Sequence, residues 1–286
     1  MSYTYPTHAE VDRYGGMGMK ILRFPFAWER LQPTINGVLD ATELGRLDDV
    51  VTYATQKGVH AIIDVHNYAA YNMAIIGAGS ITAANLADLW SKLAAHYADN
   101  PLVIFGLMNE PHDITVSTWL DAANGAIAAI RAANAKNLIL VPGTNWTGAG
   151  SWTTSNTAML GVVDSGNNYV FEVHQYLDVD SSGTHPACVS ATIGTERLSS
   201  FANWLMTNHR RAFLGEFGAG ASADTKEQDQ TCADAMDAML TMIESHPELW
   251  AGWTYWAGGP WWEPGASYTV ADSATPWQLT LLQSHL

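Results

Sequence analysis

The chain alternates short apolar runs with longer segments rich in Ala and Leu, and this alternation limits the possible folds more than any other feature. The apolar runs predict seven strands, at 19–24, 59–64, 102–107, 137–141, 169–173, 211–215 and 250–256. The segments between them predict helices at 41–57, 81–98, 115–134, 195–209, 226–245 and 276–285. Continuous apolar runs are typical of strands that are buried on both faces. The alternation therefore predicts an α/β fold with parallel strands and right-handed crossovers.

The number of strand–helix repeats favours a (β/α)8 barrel of the TIM-barrel type over an open, doubly wound sheet. The length of 286 residues fits such a barrel, which typically takes about 250 residues. No Gly-x-Gly-x-x-Gly segment follows a strand, so the phosphate loop of a dinucleotide-binding fold is missing. No linker or low-complexity stretch divides the sequence, and we predict one domain over residues 1–286.

One strand of the eight is missing from the pattern. A helix-like segment at 6–15 precedes the first predicted strand, and residues 2–5 are too few to form another. The segment 267–271 is short and lies among loop-like residues, so we do not expect it to replace the missing strand. An open barrel exposes unpaired backbone groups along two strand edges. We therefore expect a homodimer or strand-exchanged oligomer that covers the region between strands 19–24 and 250–256.

Charge and hydropathy exclude several classes of partner. The net charge of −15 argues against binding to nucleic acids, which requires a cationic face, and against docking on anionic membranes. The longest apolar runs, such as 102–108, are too short to span a bilayer. The N-terminus shows no signal peptide, so the protein is either cytoplasmic or its sequence begins after a removed leader. Cys188 and Cys232 either form one bridge, contributing about 4 kcal/mol, or remain buried thiols.

The ends of the predicted strands carry the polar and aromatic residues. Barrel enzymes place their catalytic groups just after the carboxyl ends of strands, and here these segments are 23–26, 64–68, 108–112, 142–146, 172–176, 215–218 and 254–256. Glu110 and Glu216 each directly follow a buried strand. Two such carboxyl groups suit the cleavage of a glycosidic bond, because one donates a proton to the leaving oxygen while the other attacks or activates water.

Aromatic residues are numerous, with 12 Trp, 11 Tyr and 7 Phe. Flat indole rings suit the C–H faces of sugars, and five tryptophans could either stack on a polysaccharide or seal the barrel rim: Trp28, Trp146, Trp152, Trp261 and Trp262. A metal site built from Asp64, His66 and His174 is the competing chemistry. The sequence has no His-x-His pair and no His-Glu-x-x-His segment, and we predict neither a metal nor another cofactor.

Several segments together resemble glycoside hydrolase family 5, from about Tyr5 to the C-terminus. The run 107–113 (LMNEPHD) resembles its acid/base strand and 214–218 (LGEFG) resembles its nucleophile strand. Further matches are 23–26, 28–33, 66–68, 172–178 and 253–256. These motifs are similar to the subfamily of fungal and bacterial endo-β-1,4-glucanases, subfamily 5. Relatives begin with a strand carrying a Gly-x-Asn-like segment, which this chain lacks.

The resemblance implies a retaining double displacement, with Glu216 as nucleophile and Glu110 as acid/base. It implies a carboxyl separation of roughly 5–5.5 Å. It also implies that Arg23 lies beside Glu216, that Tyr176 donates to it and that Asn109 contacts the sugar 2-OH. His66 and His174 would line the site of the sugar being cleaved, His174 toward the acid/base. The substrate-binding residues implied are Trp256, Trp146, Trp28, Asn67 and Tyr68.

The expected activity is hydrolysis of β-1,4-glucosidic bonds within cellulose, with transfer to sugar acceptors. A β-1,4-mannanase or xylanase on the same fold remains an alternative, as does a non-catalytic glycan-binding barrel. The resemblance favours a secreted or periplasmic enzyme whose leader is absent from this chain. Cys188 and Cys232 fall near positions at which relatives carry a disulfide.

Overall fold

The computed structural model describes residues 4–220, 226–262, 267–270 and 277–286. The described chain is α/β, with seven parallel strands in one sheet and a small antiparallel hairpin. The strands are β1 Ile21–Phe26, β2 His60–Val65, β3 Ala70–Tyr71, β4 Ala74–Ile75, β5 Val103–Gly106, β6 Ile139–Pro142, β7 Tyr169–His174, β8 Ala212–Glu216 and β9 Trp250–Trp253. All seven predicted strands are present, with bounds shifted by three residues or fewer.

Helices follow the strands of the sheet, as predicted. They are α1 His8–Gly16, α2 Trp28–Leu31, α3 Ala41–Gln56, α4 Ala83–Tyr97, α5 Val116–Ala132, α6 Trp152–Ser155, α7 Ile193–Thr207, α8 Lys226–Glu244 and α9 Trp277–Ser284. α3 shows how the sequence sets a boundary, because the Asp40 side chain accepts from the backbone N–H groups of Thr42 and Glu43. Such capping satisfies donors that the first helical turn leaves free.

The sheet order follows the chain, β1-β2-β5-β6-β7-β8-β9. This sequential parallel order is that of a (β/α)8 barrel with one strand missing, and it confirms the predicted fold class. β5, β6 and β8 are buried along their whole length, which explains their continuous apolar sequences. β1 and β9 end the described sheet, and most of their residues are only half-buried.

The chain divides into two compact units, and β7 contributes residues to both. The first unit holds Lys20–Thr147 and Thr154–Glu172. In it, two fully buried helix tryptophans hold strand ends: the indole N–H of Trp90 donates to the Leu107 carbonyl at 3.1 Å, and that of Trp119 donates to the Pro142 carbonyl at 2.7 Å. The backbone at the carboxyl ends of β5 and β6 is thereby fixed.

The second unit holds the described residues of Ser2–Met19, Gly148–Thr153 and Val173–Leu286. Its core includes Phe201, whose ring lies against those of Trp152, Trp204 and Trp250. Cys188 and Cys232 form a disulfide, which selects one of the two predicted alternatives.

Residues 267–270 are not a strand, but they lie against the chain just beyond β9. The Ala257 N–H donates to the Tyr268 carbonyl at 3.3 Å, and the Val270 N–H donates to the Ala257 carbonyl at 3.0 Å. Among the described helices, none combines the length and the apolar character needed to cross a membrane.

Candidate active site

In the first unit, a buried arginine in the middle of β1 contacts three polar side chains. Arg23 in β1 lies 3.1 Å from Asp64 and 3.5 Å from Glu172, and these two carboxylates are fully buried. Its Nη2 also donates to Oδ1 of Asn109 at 2.8 Å. Alternate residues of a strand face the same side, so Asp64 shares a side with His66 beyond the end of β2.

Asp64 positions that histidine. Oδ2 of Asp64 lies 2.8 Å from Nδ1 of His66. The His66 ring in turn meets the edge of the Tyr68 ring, with centroids 5.5 Å apart. This pairing sets the orientation of the imidazole, because Nδ1 is held by a carboxylate while Nε2 is directed elsewhere.

Asn109 and Glu110 follow β5 in a conformation that the neighbouring strand supports. The Asn109 backbone donates to the Val65 carbonyl at 2.7 Å and accepts from the Tyr68 N–H at 3.0 Å. Glu110 has a left-handed φ of 42° and a half-buried side chain. A non-glycine residue in this region costs energy, so the surrounding structure must hold the turn that presents the Glu110 carboxyl.

In the second unit, two side chains at the carboxyl end of β7 lie near one carboxylate. Glu216, at the end of β8, is 4% exposed. The Tyr176 hydroxyl donates to its Oε2 at 2.8 Å, and Nδ1 of His174 lies 3.7 Å from the same oxygen. The Gln175 N–H also donates to the Glu216 carbonyl at 2.9 Å. Backbone and side chain together fix the position of the Glu216 carboxylate.

The predicted sugar-binding aromatics divide into exposed and buried rings. Trp146 is 50% exposed, and Trp256 is half-buried with its ring edge-on to Trp262 at 5.8 Å. Trp261 is also 50% exposed. The prediction for Trp28 is wrong, because its ring is completely buried and its indole N–H donates to Gln32. Trp152 is also fully buried, which leaves no face for a sugar.

Asn67 belongs to the framework of the first unit. Its Oδ1 accepts from the backbone N–H of Trp28 at 2.6 Å, and its Nδ2 donates to Glu29 at 2.6 Å. Both ends of the amide are therefore engaged with α2. The neighbouring Tyr68 has a φ of 56° and contacts the rings of both His66 and His112.

Sequence reasoning did not predict that Asp64 and Glu172 are partners of Arg23, and it considered Asp64 only as a candidate metal ligand. The signal was present as two parallel patterns, Asp64-x-His66 and Glu172-x-His174, each at the end of a buried strand. A charged residue in an otherwise apolar strand requires a buried partner. In this chain the same arginine is a partner of both.

The loop after β7 contains the atoms of a possible metal site. Among the described residues of the second unit, Asp178, Asp180 and His185 each place one ligand-type atom within 4.8 Å of the others. Oδ2 of Asp178 already accepts from the backbone N–H groups of Thr184 and His185, both at 3.1 Å. The Asp178 carboxylate therefore stabilises the loop by hydrogen bonds to its backbone.

Most of the chain matches the model of a known enzyme family. A family model described as cellulase (glycosyl hydrolase family 5) matches residues 2–259. The chain belongs to glycoside hydrolase family 5.

Relatives within family 5 match most of the chain. Endoglucanase 3 of Humicola insolens is 38% identical over 282 residues, which cover 95% of this chain and 70% of the relative. Endo-β-1,4-glucanase B of Aspergillus niger is 38% identical over 261 residues, covering 91% of this chain and 76% of the relative.

Solved structures of similar proteins have the same fold. A triple mutant of an endo-β-1,4-glucanase from Xanthomonas axonopodis pv. citri is 44% identical, with a TM-score of 0.94 over 99% of this chain and 91% of its own. XacCel5A, solved in complex with cellopentaose, is 42% identical, with a TM-score of 0.94 over 100% of this chain and 92% of its own. The family prediction made from the sequence is confirmed.

Proposed function

We propose that Glu216 and Glu110 cleave β-1,4-glucosidic bonds by a retaining double displacement. The chain is an endo-β-1,4-glucanase, as are the relatives named above. The observation that carries the mechanism is the environment of Glu216, a carboxylate that accepts a hydrogen bond at Oε2 from the Tyr176 hydroxyl and lies 3.7 Å from Nδ1 of His174. A fixed, hydrogen-bonded carboxylate at a strand end suits a nucleophile.

The first step forms a glycosyl ester. A Glu216 oxygen attacks the anomeric carbon as the bond to the leaving oxygen breaks, and Glu110 gives its proton to that oxygen. In the second step, Glu110 takes a proton from water, the water oxygen attacks the same carbon and the bond to Glu216 breaks. Each of the two steps inverts the configuration of the anomeric carbon, so the product keeps the β configuration.

Asn109 is suited to bind the sugar undergoing cleavage. Because Arg23 donates to its Oδ1, the amide cannot rotate freely and its Nδ2 is directed away from Arg23. Among the described residues, no hydrogen-bond partner is found for that Nδ2. We assign it to the 2-OH of the sugar, a contact that strengthens in the transition state.

The decisive experiment combines stereochemistry with azide rescue. Proton NMR of cellopentaose hydrolysis should show the β anomer as the first product. With dinitrophenyl β-cellobioside and azide, Glu216→Ala should give an α-glycosyl azide, because azide replaces the nucleophile. Glu110→Ala should give the β-azide, because azide then attacks the intermediate. Glu196→Ala, an exposed variant on α7, serves as the control and should behave as wild type. An α anomer from the wild type would refute the mechanism.

The substrate preference requires its own measurement. Rates on carboxymethylcellulose should exceed those on mannan and xylan, because the relatives named here are glucanases. A higher rate on mannan or xylan would assign the chain to one of those activities. If the wild type released no reducing sugar from any of these substrates, the chain would instead be a glycan-binding protein.

Four further properties belong to the same proposal. Residues 1–286 act as one catalytic domain, and the family 5 match over 2–259 supports this. The glycosyl ester is also transferred to sugar acceptors. The enzyme is secreted or periplasmic, since its polymeric substrate lies outside the cell. It forms an oligomer through its open strand edges.

A further inference from the structure

In the first unit, one histidine ring stacks on a partly exposed indole, and two further residues contact that histidine. The His112 ring lies on the Trp146 indole, with centroids 4.8 Å apart and planes 21° apart. Nδ1 of His112 lies 2.9 Å from Oδ2 of Asp113, and the Tyr68 ring contacts His112 at 5.6 Å. His112 is thus held by its neighbours, while Trp146 keeps half of its surface open.

The backbone of Trp146 needs outside support. Asn145, Trp146 and Thr147 have left-handed φ values of 56°, 54° and 50°. Such conformations are unfavourable for non-glycine residues and persist when the surroundings impose them. One support is the Trp146 N–H, which donates to the Pro111 carbonyl at 3.3 Å. Another is the ring of His112, which stacks on the indole itself.

Both supports come from the two residues directly after Glu110. The position of the Trp146 indole is therefore tied to the segment that carries the acid/base. If Glu110 protonates the leaving oxygen, an indole held by this segment lies on the side of the leaving sugar. An exposed, uncharged aromatic face matches the C–H face of a pyranose ring.

We propose that His112 is a positioning residue that holds Trp146 as a stacking platform for the sugar on the leaving-group side. The same position receives the acceptor when the glycosyl ester is transferred. His112 consequently sets the ratio of transfer to hydrolysis. This inference rests on the proposed function, because Glu110 as acid/base defines the leaving-group side.

The test compares His112→Ala and His112→Phe with a matched control. His96→Ala removes another histidine of the first unit that has both a carboxylate and a ring partner, Asp48 at 2.8 Å and Tyr97 at 4.7 Å. Two readouts are measured. One is the ratio of transfer to hydrolysis products from cellotetraose with added cellobiose. The other is kcat/KM on dinitrophenyl β-cellobioside, whose leaving group is not a sugar.

His112→Ala should lower the transfer ratio about fivefold, the equivalent of one lost aromatic stacking contact, and raise KM for cellotetraose more than it lowers kcat. It should leave kcat/KM on the dinitrophenyl substrate within about twofold of wild type, a change of less than about 0.5 kcal/mol. His112→Phe retains a stacking ring and should restore the ratio, and His96→Ala should match wild type.

Two results would overturn the inference: an unchanged ratio in His112→Ala, or an equal loss on both substrates, which would indicate a merely structural role. A wild type that retains configuration but gives no transfer product also overturns it. Failure of the proposed function is recognised separately, because the wild type would then release the α anomer first.

Discussion

At the scale of single residues, the Tyr176 hydroxyl is the group whose removal tests the nucleophile most directly. Its hydrogen bond to Oε2 of Glu216 measures 2.8 Å and is buried. A hydrogen bond to a charged group contributes about 1.5–3 kcal/mol. Tyr176→Phe should therefore lower kcat by about tenfold to a hundredfold, while the variant remains folded.

The control for this prediction is Tyr97→Phe. The Tyr97 hydroxyl also donates to a carboxylate, Asp48, at 2.7 Å, but Tyr97 ends α4 and is not at a strand end. Its removal should leave kcat unchanged. Equal kcat values in Tyr176→Phe and wild type would remove Tyr176 from the mechanism.

Loss of Arg23 should strongly destabilise the first unit. Its side chain is 4% exposed and neighbours two fully buried carboxylates. Removing one partner from a buried ion pair costs about 3–5 kcal/mol, because an unpaired charge remains buried. Arg23→Met should lower the free energy of unfolding in urea by that amount.

An exposed arginine of the same unit is the control. Arg46 pairs with Glu43 at 3.0 Å, and its side chain is 57% exposed. Exposed ion pairs contribute about 0–1 kcal/mol, so Arg46→Met should have a small effect. If both variants lost the same stability, burial of the Arg23 cluster would not be the cause.

At the scale of elements, Asp164 connects α5 to the segment before β7. Its two carboxylate oxygens accept from Nε and Nη2 of Arg131 at 2.7 and 2.9 Å. The backbone N–H groups of Gly166 and Asn168 donate to it as well. Burial alone would raise the pKa of Asp164, but these hydrogen bonds outweigh it and lower the pKa.

A lowered pKa in the folded state fixes the sign of the pH dependence. The ionised carboxylate stabilises the fold above its unfolded pKa, and this contribution is lost as the pH falls through the folded pKa. The stability difference between wild type and Asp164→Asn should be largest near neutral pH and shrink in acid. Urea denaturation at a series of pH values measures it. Asp121→Asn, at an exposed position of α5, is the control, and a difference that grew in acid would contradict the assignment.

The sequence predicted those helices and strands that are long enough to show a pattern of apolar residues. The bounds of β5 and β6 lie within two residues of their predicted ranges because buried strands need continuous apolar sequence. The hairpin of β3 and β4 was missed, since each strand has only two residues and no period can be seen. The short helix α6 was missed for the same reason.

At the scale of the whole molecule, the described sheet has two end strands. β1 pairs with β2, and β9 pairs with β8. Within the described residues, neither end strand has a second partner in the sheet. Free backbone groups at an apolar strand edge favour pairing with another chain.

We therefore expect a dimer or larger oligomer. Light scattering at low micromolar concentration should give at least twice the chain mass of 31.0 kDa. The net charge of −15 opposes association, so raising the salt concentration should increase the oligomer fraction. A fully active 31.0 kDa monomer at all concentrations would show that the edges are satisfied within one chain.

The sequence by itself determined the repeat of strands and helices and the segments that follow each strand, because both depend on neighbours in the chain. Through such segments it identified the family and predicted Glu110, Glu216 and Tyr176 as site residues. Tertiary structure decided which partners these residues meet. Only the fold could show that Arg23 lies between Asp64 and Glu172, since these three residues are far apart in the chain.

The tryptophans show the same division. Trp28 and Trp146 were equally suited to sugar stacking by residue type, yet one is fully buried and the other is half exposed. Trp28 begins a helix that Asn67 holds through the backbone, while a left-handed turn and His112 hold Trp146 outward. Burial is a property of packing between distant segments, and a local pattern of residues does not contain it.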